Sequence, residues 1–234
     1  MKKQAFTLAE VLITLTIIGV VAAMTIPTLV TNYNKRVVEV RLQKTHAELY
    51  QAFKLAEVDH GNLATWSYTA GNSNDNIGNF IKKYLLPYIK HSKYCEKSNL
   101  QDCFVTPIES ASGLMGFPTS EAYTHQRALT LNNGVTVFFQ SGFGSDNSKH
   151  LHVVVDVNGP KQGSNLLGKD IFSMFFSLNN NEQLRQGFWM YGFNNQIIPT
   201  REEMLQLCKS ENPRMCSALI QNDGWKIKDD YPWW

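Results

Sequence analysis

Two carboxylates and two amides crowd the stretch "DVNGPKQGSNLLGKDIF": Asp156, Asn158, Asn165 and Asp170. Hard oxygen donors in a glycine-rich loop suit calcium. The stretch is not an EF-hand, because Gly159 and Pro160 follow the Asp-x-Asn start and Leu167 stands where that motif needs a glutamate. The plainer reading is a turn whose Asp and Asn side chains bond their own backbone; calcium held by Asp156, Asn158 and Asp170 is the second. His150 and His152 would share one face of a strand, a spacing some zinc sites use, but with no third ligand evident they read as a solvent-facing pair. "SGFGSD" lacks the Gly-x-Gly-x-x-Gly frame and reads as a hairpin loop. No Gly-x-Ser-x-Gly or His-Glu-x-x-His occurs, and nothing in these spacings points to catalysis.

Four cysteines form two pairs of equal spacing, Cys95 with Cys103 and Cys208 with Cys216. The pattern suits two local disulfides in an oxidising compartment. Zinc needs tighter Cys-x2–4-Cys spacing, and free thiols are the other alternative. Four cysteines allow three connectivities; the local pairing is the one expected.

The remaining chemically notable residue is an acid in an apolar setting. Residues 11–30 carry no formal charge, and at about 1.5 Å per residue they reach about 30 Å, the thickness of a bilayer core. Glu10 stands at the start of this run. A carboxylate inside a bilayer costs roughly 2.5–3.5 kcal/mol on insertion scales, so it reads either as snorkelling to the interface or as waiting for a cation. No lysine or arginine lies within the run, whereas a newly made α-amino group would serve. Lys2 and Lys3 precede the run, which orients the first residues to the cytoplasm and everything after residue 30 outward. An ordinary signal peptide cut near "VAA" is the competing reading, but the apolar run continues past that site. Beyond it, Val38, Leu42, Leu49, Phe53 and Ala56 form one stripe of an amphipathic helix. The two segments read as one helix over 6–58, with a kink expected at Pro27.

"KKQA" followed by "FTLAEVLITLTIIGVVAAMTIPTL" resembles the class III signal of type IV pilins and of the pseudopilins of type II secretion. The resemblance covers about 30 residues: a short basic leader, a small residue, then Phe-Thr-Leu-x-Glu opening an apolar helix. It implies that prepilin peptidase cuts between Ala5 and Phe6 and N-methylates Phe6, leaving the apolar segment in place. It further implies that Glu10 pairs with the Phe6 amine of a neighbouring subunit during filament assembly. Ala5 departs from the glycine usual there, but both residues are small. Loss of Lys2 and Lys3 with the leader would bring the net charge from +2 to zero.

The resulting division is a leader over 1–5, a membrane or filament-core helix over 6–30, an amphipathic continuation over 31–58 and a globular head over 59–234. In the head, "RALTLNNGVTVFFQSG" reads as two strands about an Asn-Gly turn, and "HLHVVVDVNG", "IFSMFFSL" and "GFWMYGF" as further strands. The expected class is α+β: a long helix packed on an antiparallel sheet of three to five strands, which also resembles the pilin fold. Calcium-binding loops occur near this sheet in major pseudopilins, and that likeness extends no further than the family. The tail, "GWKIKDDYPWW", is aromatic and would either form a contact surface for another subunit or cap the sheet.

The net charge of +2 and the lack of a basic run with interleaved aromatics argue against nucleic acid as a partner. The expected setting is a bacterial inner membrane with the head in the periplasm, followed by a periplasmic or surface filament. The expected partners are prepilin peptidase and other pilin or pseudopilin subunits. Two rivals remain: a secreted enzyme or binding protein with an ordinary signal, and a calcium-dependent adhesion module.

Overall fold

The computed structural model describes residues 7–68, 76–103, 108–110, 113–115, 126–141, 149–159, 163–211 and 213–234. Its first element is α1 (Leu8–His60), which continues through Pro27. Two compact units divide the chain, Met1–Val37 and Val38–Trp234, so the second half of α1 belongs to the head.

In the head, Val38, Leu42, Leu49, Phe53 and Ala56 are all buried, with Thr45 and Ala52 filling the same stripe. They face a six-stranded antiparallel sheet built from β1 (His91–Cys95), β4 (Gln126–Leu131), β5 (Thr136–Ser141), β6 (His150–Asp156), β7 (Ile171–Ser177) and β8 (Gly187–Met190), in the order β1-β4-β5-β6-β7-β8. A separate pair is formed by β2 (Ile108–Ser110) and β3 (Gly113–Met115). The count exceeds the three to five strands expected. The strand that sequence misses is β1, whose "HSKYC" is too polar to read as a buried strand; its pairing with β4 makes it one.

Alternation sets the register. Leu129, Val137, Val155 and Phe172 align across β4 to β7, and Phe139, Val153, Met174 and Met190 across β5 to β8. Phe176 stacks on Phe53 of α1 at 4.2 Å between ring centroids. The opposite face is also covered: Ala128, Phe138, Val154 and Ile171 pack with Leu100, Leu167 and the Cys95–Cys103 pair. Burial on both faces explains why "HVVVDV" and "IFSMFF" are nearly continuous apolar runs.

The β4–β5 connection is the four residues 132–135. Gly134 N donates to Leu131 O, Leu131 N donates to Val135 O, and Gly134 supplies the positive φ of 84°. On the flanks lie α2 (Asn76–Tyr84), α3 (Arg201–Cys208) and α4 (Cys216–Asn222). The start of α3 is fixed by a reciprocal cap, Thr200 with Glu203.

Phe176→Ala removes the ring at the centre of the helix-sheet contact. Denaturant unfolding is expected to show a loss of about 3–5 kcal/mol, the range for a buried Phe emptied to a cavity.

Candidate functional site

The first half of α1 has its apolar side chains in the open: Leu12, Ile13, Leu15, Ile17 and Ile18 are all exposed. The helix is long and apolar enough to cross a membrane. Four of its threonines are turned inward on its own backbone. The hydroxyls of Thr14, Thr16, Thr25 and Thr31 donate to the carbonyls of Glu10, Leu12, Val21 and Pro27 at 2.8–3.0 Å. Pro27 brings no N–H, so the carbonyl of Ala23 loses its helical donor.

Glu10 is part of the helix start. Its Oε2 accepts from Thr7 N at 2.9 Å and from the Thr7 hydroxyl at 2.8 Å, while Glu10 N donates to Thr7 Oγ1 at 3.3 Å. This is a reciprocal capping box, and the Thr-Leu-Ala-Glu spelling was its signal in the sequence. The cap uses one carboxylate oxygen; Oε1 takes no hydrogen bond among the described residues. Ala5 and Phe6 lie outside the described residues.

In the head, the two carboxylates of the glycine-rich loop are both buried. Asp156 Oδ1 accepts from the backbone N–H of Asn158 and of Gly159, each at 3.0 Å. Asp170 accepts from Ser164 N at 2.7 Å, Asn165 N at 3.0 Å and Leu166 N at 2.6 Å, with Ser164 Oγ at 3.2 Å and Asn158 Nδ2 at 3.4 Å. Asp170 thus serves as the acceptor on which the N–H groups of Ser164, Asn165 and Leu166 converge. Asn165 takes the left-handed conformation, φ 49°, that lets successive N–H groups converge on it. Three of the four carboxylate oxygens accept backbone N–H groups, so this arrangement is the turn in which the side chains bond their own backbone. Among the described residues no group of three or more His, Cys, Asp or Glu could hold a metal. Burial pushes the Asp156 carboxyl up to about 7, against the two N–H groups that favour its ionised form.

His150 and His152 do not face solvent as a free pair. They are half-buried, stacked at 5.0 Å and edge-on at 5.3 Å against Phe175, which β7 places opposite His152. Burial lowers both imidazoles, His152 to about 3. Alternation placed them on one face; the aromatic neighbour came from a strand whose position the sequence did not reveal.

The cysteines are joined locally, Cys95 to Cys103 and Cys208 to Cys216. The loop between the first pair is a short 3-10 helix, Lys97–Asp102. Most of the tail rings pack on the head: Tyr231 is buried, and Trp225, Trp233 and Trp234 lie against the core. Two polar anchors escaped notice in the sequence. Glu39 is buried in α1 and accepts from Lys226 Nζ at 3.0 Å and Ile227 N at 2.9 Å. Arg201 binds Asp223 through Nε and Nη2 and Asp230 through Nη1 and Nη2, all at 2.7–2.9 Å. Neither has a local pattern to reveal it, since the partners are far apart in the chain. Among the described residues, a cleft of about 470 Å³ is lined by Lys44, Glu48, Gln51, Tyr88 and Lys90 and two asparagines, Asn132 and Asn133.

Residues 28–234 match a family described as a family of unknown function (DUF6613), and residues 1–26 match the prokaryotic N-terminal methylation motif. The chain belongs to the first family and is a type IV pilin-like protein. No curated protein and no solved structure matches it. For a pilin-like protein the motif implies processing by prepilin peptidase and assembly with other pilin subunits. It also makes the exposed helix a membrane anchor.

The folded pilin-like head holds the Asp156 proton more tightly than the unfolded chain does. This group therefore removes stability as pH rises from about 4 to about 7, by about 1.4 kcal/mol per unit, and the loss levels off above that. Asp156→Asn keeps an oxygen for the two N–H donors without the charge. It is expected to be more stable than wild type at pH 8, with the advantage shrinking towards pH 4, as read by denaturant midpoints. Calcium titrated into the full chain in detergent is expected to give no binding heat; a saturable heat abolished by Asp170→Asn would assign the loop to the ion.

Proposed function

We infer that this chain is a subunit of a type II secretion pseudopilus or a closely related type IV filament, inserted in the bacterial inner membrane with its head in the periplasm. Its work is structural. Cleavage between Ala5 and Phe6 creates an α-amino group, N-methylated by the same peptidase, at the cytoplasmic edge of the apolar helix. The amine is the cation that residues 11–30 lack.

The observation that carries the reading is Glu10. It is one carboxylate at the mouth of an exposed apolar helix, with one oxygen held by Thr7 and the other uncommitted among the described residues. As subunits leave the bilayer, lipid-facing surface becomes helix-helix interface, and the Phe6 amine of one copy neutralises Glu10 of the next. A copy added out of register leaves both charges unpaired in a poorly solvated place, at a cost of several kcal/mol. The pair selects register rather than supplying net stability.

The cap and the charge can be separated. Glu10→Gln keeps an oxygen for the Thr7 N–H and hydroxyl but removes the charge, whereas Glu10→Ala removes both. Both variants are expected to insert and to be processed normally, and both to yield little or no filament by shearing and electron microscopy. Normal filament recovery with Glu10→Gln would leave the cap, not the charge pair, as the role of this residue.

A further inference from the structure

The sulfurs of Cys208 and Cys216 belong to fully buried residues, although Lys209 and Glu211 between them are exposed. The end of the chain lies directly over the bond. The Trp233 indole N–H donates to Cys208 O at 3.1 Å and lies 3.2 Å from Cys216 Sγ. A Cβ at Gly168 would come within 3.0 Å of that sulfur and 2.7 Å of the indole nitrogen, so loop, disulfide and ring meet with no room for a methyl group. Gly168 is clamped there by its carbonyl, which accepts from the buried Tyr231 hydroxyl.

Residues 225–234 form no helix or strand. Beyond Trp233 and Tyr231 they are held by Glu39, through Lys226 and Ile227, and by Arg201, through Asp230. Beside these polar bonds, Ile227 and Tyr231 are buried, and Trp225, Trp233 and Trp234 pack against the core. None of these contacts is a helix or a sheet ladder, so lifting the tail exposes its rings but leaves the sheet and helices paired, a local opening short of global unfolding.

We propose that residues 225–234 are a lid over the Cys208–Cys216 disulfide, closing it to thiol exchange once the bond has formed. Exchange requires a thiolate to reach one sulfur, form a mixed disulfide there and expel the other cysteine as a thiolate. With the lid docked, neither sulfur is accessible. Oxidation therefore precedes docking: a disulfide-donating thiol–disulfide oxidoreductase acts on α3 and α4 while the tail is free, and the tail closes last. The Cys95–Cys103 bond is an internal control, buried in a cluster to which no residue of 225–234 contributes.

The test uses the full chain in detergent with dithiothreitol, which closes to its cyclic disulfide as each cystine takes up two electrons and two protons. Timed alkylation followed by peptide mass spectrometry reads the two bonds separately. Trp233→Phe with Asp230→Asn removes the indole donor and loosens the hold of Arg201 without emptying the core. The pair of changes is expected to speed reduction of Cys208–Cys216 at least tenfold, equivalent to about 1.4 kcal/mol of opening free energy, and to leave Cys95–Cys103 at its wild-type rate. Unchanged rates at Cys208–Cys216 overturn the lid. Equal acceleration of both disulfides overturns it too, because the variant would then have loosened the whole head.

Discussion

A helix that exposes Leu12, Ile13, Leu15, Ile17 and Ile18 along one continuous segment cannot be left in water, since apolar area costs about 25 cal/mol per Å² when hydrated. Something apolar must take that surface, and lipid or the equivalent helices of neighbouring subunits are the two media that can. Most polar groups on the segment answer to this demand. The threonine hydroxyls bond back to the helix, and Thr7 and Glu10 close its first turn. The one group that the helix itself does not neutralise is the charge on Glu10.

The second half of α1 meets the same requirement differently, by burying its stripe against the sheet. Its polar members are matched over long sequence distances. Glu39 meets Lys226 and Ile227, and Arg41 donates to Val157 O at 2.9 Å. Removing Lys226 would strip a cation from the buried Glu39 carboxylate, which costs more than the pair contributes, whereas Lys226 itself is half-exposed. The C-terminal tail is thereby part of the head's architecture. The same economy appears at Asp170, whose oxygens organise the loop between β6 and β7 by drawing in three backbone N–H groups.

Legibility followed the range of the interactions. The helix stripe, the β4–β5 hairpin and the strands β6 and β7 were readable because each is a local periodicity: three and four residues in the helix, two in the strands. The β1 strand was not, because "HSKYC" becomes a strand only through pairing with a segment over thirty residues away. His150 and His152 were placed on one strand face correctly, yet their burial depends on Phe175 of β7. For the glycine-rich loop, the donor set allowed two readings in sequence, and in the fold the backbone N–H groups point at the carboxylates as the turn reading expects.

By itself the sequence determined the N-terminal helix: its length, its lack of charge, the position of Glu10 and the Thr-x-x-Glu start are all features of a contiguous segment. Local spacing also made the two disulfides the simplest pairing. The tertiary structure alone decided where the tail goes, which buried charges meet, and which backbone groups the loop carboxylates bind. Those outcomes depend on side chains brought together from distant parts of the chain. No local pattern records them, because their free energy exists only once the sheet and the helix have packed.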